Sequence, residues 1–274
     1  MTTVTRPRRR LQWPWLVLAV IAAAAVVIPV VAGDQVADFS AALRPPGQAH
    51  LLGTDHSGYD LLVRCAQALQ ISLVVAAVCA VAATVLGVVI GVGSALVGGW
   101  LDAVVMRIVD GFNALPHLVL GIVIAAMWRG APLAIIASIA LTHWPAVARV
   151  VRAELLSISD SGWIQSSRLA GASRWFVARR HLLPAVSGQA LVAMVMLLPH
   201  AVWHESTLSF LGVGFSPDQA SLGTLLGQAR GDVLIGAWWT LAVPAVALVA
   251  TALAFSSAGA LMQHRTQPPG GQVW

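Results

Sequence analysis

The sequence predicts an all-α, polytopic membrane protein with about six transmembrane helices. Three observations carry this. The 274 residues are 58% hydrophobic and only 10% charged, whereas soluble domains are roughly 45–50% apolar and a quarter charged. The apolar residues fall in long charge-free runs, with a mean hydropathy of +0.81. Arginines gather beside those runs on alternate sides, as topology signals do.

A spanning helix needs about 20 predominantly apolar residues. Six stretches qualify: Trp15–Ala32, Ile71–Val97, Gly111–Trp128, Ala131–Ala148, Ala185–His204 and Leu234–Met262. The second and sixth exceed one bilayer width and predict tilt or extension beyond it. The first follows the basic run RPRRR and resembles a signal peptide in outline. Cleavage there would leave five spans and spoil the charge asymmetry, so it is read as a retained helix. The spacing of Gly87 and Gly91 suits close helix packing, in the first instance within the chain. Pro116, Pro145, Pro199 and Pro244 predict kinks.

An even number of spans places both termini on one side. Arg6, Arg8, Arg9, Arg10, Arg107, Arg149, Arg152, Arg168, Arg174, Arg179, Arg180 and Arg265 share that side; Arg44, Arg64, Arg129 and Arg230 fall opposite. The arginine-rich side is expected to be cytoplasmic, with both termini in it. Two outer segments are too long for turns, Gly33–Arg64 and Phe210–Gly231. The second predicts a short helix over Leu222–Arg230. Asp55 and Asp60 stand in the first, as docking groups or as solvated loop charge.

The chain has no lysine, which excludes a Walker A loop and Schiff-base chemistry. If ATP drives this protein, another subunit hydrolyses it. Cys65 and Cys79 have no metal-ligand spacing. The net charge of +5 belongs to topology rather than to nucleic acid, because the arginines lack interleaved stacking aromatics. No Ser/His/Asp arrangement is identifiable by spacing, which disfavours an intramembrane enzyme, and no inverted repeat supports a self-sufficient secondary carrier.

The connection from Val151 to Pro184 is the most informative stretch. Ser159-Asp160-Ser161 offers cap chemistry for a short helix through Leu169, Gly171 permits a sharp bend, and Ser173 caps a second helix expected to end before Pro184. Trp163, Ile164, Leu169, Trp175, Phe176 and Val177 alternate with Arg168, Arg174, Arg179 and Arg180. Such a pair either lies on anionic lipid or enters a groove on a cytoplasmic partner.

This connection resembles the cytoplasmic signature of the binding-protein-dependent ABC importer permeases: Glu-Ala-Ala, three residues, Gly, nine residues, a hydrophobic residue, one more, then Leu-Pro. The frame reads Gln165-Ser166-Ser167, Gly171, His181, Leu183 and Pro184. The His-Leu-Leu-Pro ending is similar to the dipeptide, oligopeptide and nickel branch. So are LLGTDHSGYDLLVR (Leu51–Arg64), GGWLDAVVMRIVDGFNALP (Gly98–Pro116) and ESTLSFLGVGFSP (Glu205–Pro217). Gln165 replaces the usual Glu, and Tyr59 the usual Arg of Gly-Arg-Asp.

The resemblance implies an inner-membrane importer permease for di- or oligopeptides, with nickel or a metal chelate as the alternative cargo, and no enzymatic activity of its own. It implies a coupling-helix loop at about 151–184, with Gln165, Ser166, Ser167, Gly171, Ala172, His181, Leu183 and Pro184 coupling to the ATPase. The implied partners are a second homologous permease, two ATP-binding subunits, an extracytoplasmic substrate-binding protein and membrane lipid. ATP and Mg sit on the ATP-binding subunits, and this chain carries no cofactor. The expected division is an N-terminal tail, first helix and outer segment (1–70), a five-helix transmembrane domain (71–265) and a C-terminal tail (266–274).

His200 and His204 are four apart and share one helical face, with Glu205 next. All three are candidates for the substrate pathway. A resident metal site is not expected: no third ligand is evident, and Leu208 stands where a zinc-protease motif needs its second His. His143 sits late in the fourth span.

Overall fold

The computed structural model describes residues 12–266. The basic run at Arg6–Arg10 and the expected tail beyond residue 266 lie outside the described residues. The chain is helical, with no strand among the described residues beyond an isolated bridge between Thr54 and Asp60. Among the described residues five helices are long and apolar enough to cross a membrane, and a bent pair passes the same test as a sixth unit.

Helix α1 (Trp13–Ala32) begins with Pro14 in its first turn, where a missing N–H costs nothing, and ends at Gly33 with a φ of 68°. Most of its surface is apolar and exposed, including Leu16, Val20, Val27 and Val30, which suits a helix facing lipid. Helix α2 (Leu61–Val97) is the axis of the bundle. The Asp60 carboxylate caps it by accepting from the Leu62 N–H. It starts ten residues before the apolar run does, because the cap and not the hydropathy sets its origin. It therefore passes without a break through position 70 and reaches about 55 Å at 1.5 Å per residue.

Gly98 and Gly99, both at positive φ, turn the chain into α3 (Gly99–Ala114). The expected third span, Gly111–Trp128, is not one helix. It breaks at Leu115-Pro116, and α4 (His117–Met127) leaves at 90° to α3. Leu115 is held extended by the proline that follows it, so the helix stops there. Helix α3 lies against the lower half of α5 (Pro132–Ser159). There Arg152 makes a two-pronged bond to Asp102, and Arg149 reaches Asp110 at 2.7 Å.

Beyond the connection, α8 (Leu183–Phe210), α9 (Leu222–Leu234) and α10 (Trp239–Thr266) complete the bundle. Helix α9 matches the expected short helix and runs four residues further. Its Ser221 and Thr224 form a reciprocal capping box. Helices α5 and α8 both outrun the apolar runs that announce them, to Ser159 and Phe210.

The bundle has two distinct ends. At the cap end, the segment before α2 folds into a plug. Thr54 Oγ1 donates to the Ala41 carbonyl, the Thr54 carbonyl accepts from Trp239 Nε1 at 3.1 Å, and His50 lies 3.0 Å from Asp60. Gly58, at a φ of 79°, presses on the Asp38 backbone so closely that a Cβ would overlap it. The hydroxyl and N–H of Ser40 hold the Asp38 carboxyl below the usual carboxylate range. At the opposite tail end α1 begins, α10 finishes, and the Val151–Pro184 connection folds back on the bundle.

Candidate functional site

The connection forms a hook. Helix α6 (Gly162–Leu169) and a short α7 (Arg174–Val177) flank a turn at Ala170–Ala172, where Gly171 takes a φ of 85°. That backbone conformation is costly for any residue with a Cβ. Ser173 caps α7 as expected, accepting from the Phe176 N–H at 3.2 Å. Ser161 does not cap α6: its hydroxyl turns back to the Ile158 carbonyl at 2.6 Å, because α5 runs on to Ser159 and leaves that carbonyl in reach.

The second helix also does not end before Pro184. It widens into a π-turn over Ala178–Leu182 and continues into α8, with Pro184 in its first turn. Proline removes one backbone donor and crowds the preceding turn, and a π-turn gives the ring room without breaking the chain. The hook is thus continuous with α8 through helical backbone.

Apolar packing holds the hook to the bundle. Ile164, Val177 and Leu182 are buried among Val92, Val147, Val151, Leu155 and Val186, uniting α2, α5, α6 and α8. Each such side chain contributes about 1.5–3 kcal/mol when fully buried. His181 fastens the inner face, with Ser167 Oγ at 3.2 Å from its Nε2 and Trp163 edge-on at 5.2 Å. Gln165 bonds to the Asp160 carbonyl and Ser166 to that of Gly162, both on the exposed side. Leu183 continues the α8 helix and Ala172 packs against the buried cluster. Trp163, Leu169, Trp175 and Phe176 face outward, Leu169 with 89% of its surface exposed. That is an apolar, aromatic face left about half or more exposed among the described residues.

A second site lies between α4, α5, α8 and α10. A cavity of about 410 Å³ is lined by His117, His143, His200 and His204, with Gln189 and Gln263 toward the tail end. His143 is the hub: its ring lies 5.6 Å from His117, 6.4 Å from His200 and 4.8 Å from His204 between centroids. Sequence spacing pairs His200 with His204. It misses His117, and it misses that α4 and α5 bring two more imidazoles to the same wall. The signal was there in kind, since four of the eight histidines stand within apolar runs, and polar residues in such runs mark functional sites.

Glu205 does not join them. It is fully buried on the other side of α8, accepting from Ser72 Oγ at 2.7 Å, Ser209 Oγ at 3.0 Å and Ser206 Oγ at 3.4 Å. Its neighbour His204 faces the cavity because adjacent helical residues point about 100° apart. Asp55 and Asp60 serve the plug. Asp55 accepts from the Ser57 and Tyr59 N–H groups, and Arg64 lies 3.7 Å from it and stacks over the Tyr59 ring. No three ligating side chains converge on a ready-made metal centre among the described residues.

Comparison with known proteins identifies the family. The dipeptide transport system permease protein DppC of Bacillus subtilis is 33% identical, over 82% of this chain and 70% of that protein. The nickel transport system permease protein NikC of Escherichia coli K12 is 32% identical, over 85% and 84%. A solved structure of the methionine ABC transporter MetNI in an inward facing conformation superposes with a TM-score of 0.59 at 26% identity, over 76% of this chain and 97% of that one. Residues 83–268 match the family described as binding-protein-dependent transport system inner membrane component. The chain belongs to that family, in the branch that holds DppC and NikC: it is a multi-pass permease component of an ABC importer, not an enzyme, and ATP hydrolysis lies on separate subunits.

Proposed function

We propose that this chain supplies half of the translocation pathway of a di- or oligopeptide importer, with the hook as its contact to an ATP-binding subunit. One observation supports this above the others: the hook is built into the ends of α5 and α8, and the middles of those same two helices carry His143, His200 and His204 on the cavity wall. Displacing the hook must then displace the wall, which is how closure of two ATP-binding subunits becomes a rigid-body rearrangement of helices. Gln165, Ser166, Ser167, Gly171, Ala172, His181, Leu183 and Pro184 are assigned to this coupling.

In this reading the tail end faces the cytoplasm with both termini, a placement that the arginine distribution supports. A second homologous permease completes the pathway, two ATP-binding subunits hold ATP and Mg, and the cap end receives a substrate-binding protein. No cofactor is assigned to this chain. The cargo of DppC, by its name, is dipeptide, and that of NikC nickel. A metal or metal-chelate cargo is the second reading, favoured by the four imidazoles on the wall.

Affinity purification of the tagged chain in mild detergent tests the proposal. Recovery of a second permease and of ATP-binding subunits with ATPase activity, lost on Gly171→Pro, is the expected result. Proline is locked near a φ of −65° and cannot follow the turn. A single-chain species in several detergents overturns the half-transporter reading.

A further inference from the structure

A cavity of about 330 Å³ separates the inner side of the hook from the last turns of α2 and α5. Leu96 and Val97 line it from α2, Leu155 and Leu156 from α5, and Val177 and Leu182 from the arm that leads into α8. These walls are apolar, and apolar cavities do not hold water well. Val97 and Leu156 are 57% and 41% exposed, so the lining continues outward as an apolar lip.

Ser159 and Arg168 are the polar side chains of the lining. The Ser159 hydroxyl is already spent, donating to the Leu156 carbonyl at 3.0 Å. The Arg168 guanidinium has no hydrogen-bond or ion-pair partner among the described residues, and no carboxylate lines the cavity. A guanidinium, always charged and rich in donors, thus stands at the edge of an apolar hole. Arg179 and Arg180 on the same hook are exposed and likewise unpaired. A small inorganic anion would meet the guanidinium and leave the walls bare, whereas a hydrocarbon would cover the walls and leave the charge. A molecule with an anionic head and an apolar chain satisfies both. The cytoplasmic leaflet supplies such molecules, and its negative surface potential draws basic segments toward it. Leu169, next to Arg168, points about 100° away from it on the helix, which leaves the aromatic face to the ATP-binding subunit.

We propose that the cavity between the hook and the ends of α2 and α5 binds a monoanionic phospholipid of the cytoplasmic leaflet, with its phosphate on Arg168 and an acyl chain against Leu96, Leu155 and Leu182. One guanidinium matches one phosphodiester charge, which selects phosphatidylglycerol over a doubly charged lipid. The chain fills the gap beside the hook, so the hook bears on the bundle through lipid as well as through Ile164 and Val177. The site rests on the cytoplasmic placement of the tail end in the importer reading.

The test takes the full chain, with the subunits that purify with it, in nanodiscs of phosphatidylcholine and phosphatidylglycerol. Native mass spectrometry counts the lipid each chain retains as phosphatidylglycerol is titrated. Saturable retention of one phosphatidylglycerol per copy is the expected result. Arg168→Gln, at an exposed position, is expected to weaken it about tenfold through loss of a charge-assisted contact, and Arg168→Lys to recover most of it. Ala95→Phe grows into the cavity without removing a charge and is expected to weaken retention as much; should it fail to fold, Leu156→Gln at the exposed lip carries the same expectation. Arg180→Gln, outside the cavity, is expected to change retention less than about twofold, as a screened surface charge does. Equal retention of phosphatidylcholine overturns the anionic head, and equal binding of glycerol phosphate overturns the apolar half. A loss on Arg180→Gln as large as on Arg168→Gln reduces the attraction to diffuse charge and overturns the site, as does absence of retained lipid. Recovery of ATP-binding subunits, scored on the same preparation, judges the importer reading separately. Lipid held through Arg168 by a chain that recovers none keeps the site and sinks the importer, and subunits recovered without retained lipid do the reverse.

Discussion

The Glu205 carboxylate and the Ser72 hydroxyl meet at 2.7 Å across α8 and α2, and the same hydroxyl oxygen accepts from the Leu222 N–H at 3.3 Å. A buried relay therefore joins the first turn of α9 to the centre of the bundle through two side chains. It is a fastening for the cap end, not a wall of the cavity.

Replacing Glu205 by Ala is expected to lower stability by about 2–4 kcal/mol, because it strands the Ser72 and Ser209 hydroxyls at roughly 1–3 kcal/mol each. Glu205→Gln keeps an acceptor oxygen and should lose less than half as much. Thermal melting of the detergent-solubilised protein separates the two, and equal losses would contradict the acceptor role.

Gly91 and Gly87 bring α2 against α5. A Cβ on Gly91 would lie 2.6 Å from the Ala148 carbonyl oxygen, and one on Gly87 would lie 2.5 Å from Val147 Cβ. Gly91→Val should therefore cost about 1–3 kcal/mol by overpacking. Gly93, with nothing within 4 Å, should tolerate Ala and gain slightly in helix propensity. Melting midpoints of the two variants are expected to move in opposite directions.

The two ion pairs between α3 and α5 should differ in worth. Arg152 and Asp102 expose 27% and 14% of their side chains and bond two-pronged; Arg149 and Asp110 expose 53% and 55%. Double-mutant cycles are expected to give about 1–2 kcal/mol of coupling for the first pair and under about 0.5 for the second. Similar couplings would show that the two-pronged geometry adds nothing.

Leu169→Asp places a charge on the outward face of the hook, at a side chain that is 89% exposed. Recovery of ATP-binding subunits in a pull-down should drop at least tenfold while the melting temperature stays within about a degree. Ile164→Asp is expected to do the reverse kind of damage, unfolding the hook through a buried charge.

Much of the fold was legible because apolar run length and caps are local. The start of α9 at Leu222, the Gly171 turn and the Ser173 cap all stand where the sequence puts them. What escaped it is the size of some local breaks and the placing of neighbours far along the chain. Pro116 marks a bend as expected, but α4 leaves α3 at 90°, although the apolar run reads through. Pro184 reads as a terminator but is absorbed by a π-turn. Periodicity places His200 and His204 together on one face, yet only the packing of α4 and α5 beside α8 adds His117 and His143. Glu205 looked like a wall residue because intramembrane carboxylates usually mark pathways, and three serines on α2 and α8 claim it instead.

The glycine contact between α2 and α5 has a mechanical meaning. Gly91 touches α5 at Ala148, with the hook's anchor Leu155 on one side of that point and His143 on the other. Two backbones that close leave no compliant side chains between them. In the proposed coupling, α5 would therefore rock about that contact like a beam on a fulcrum, and a push on the hook would swing the His143 arm the opposite way.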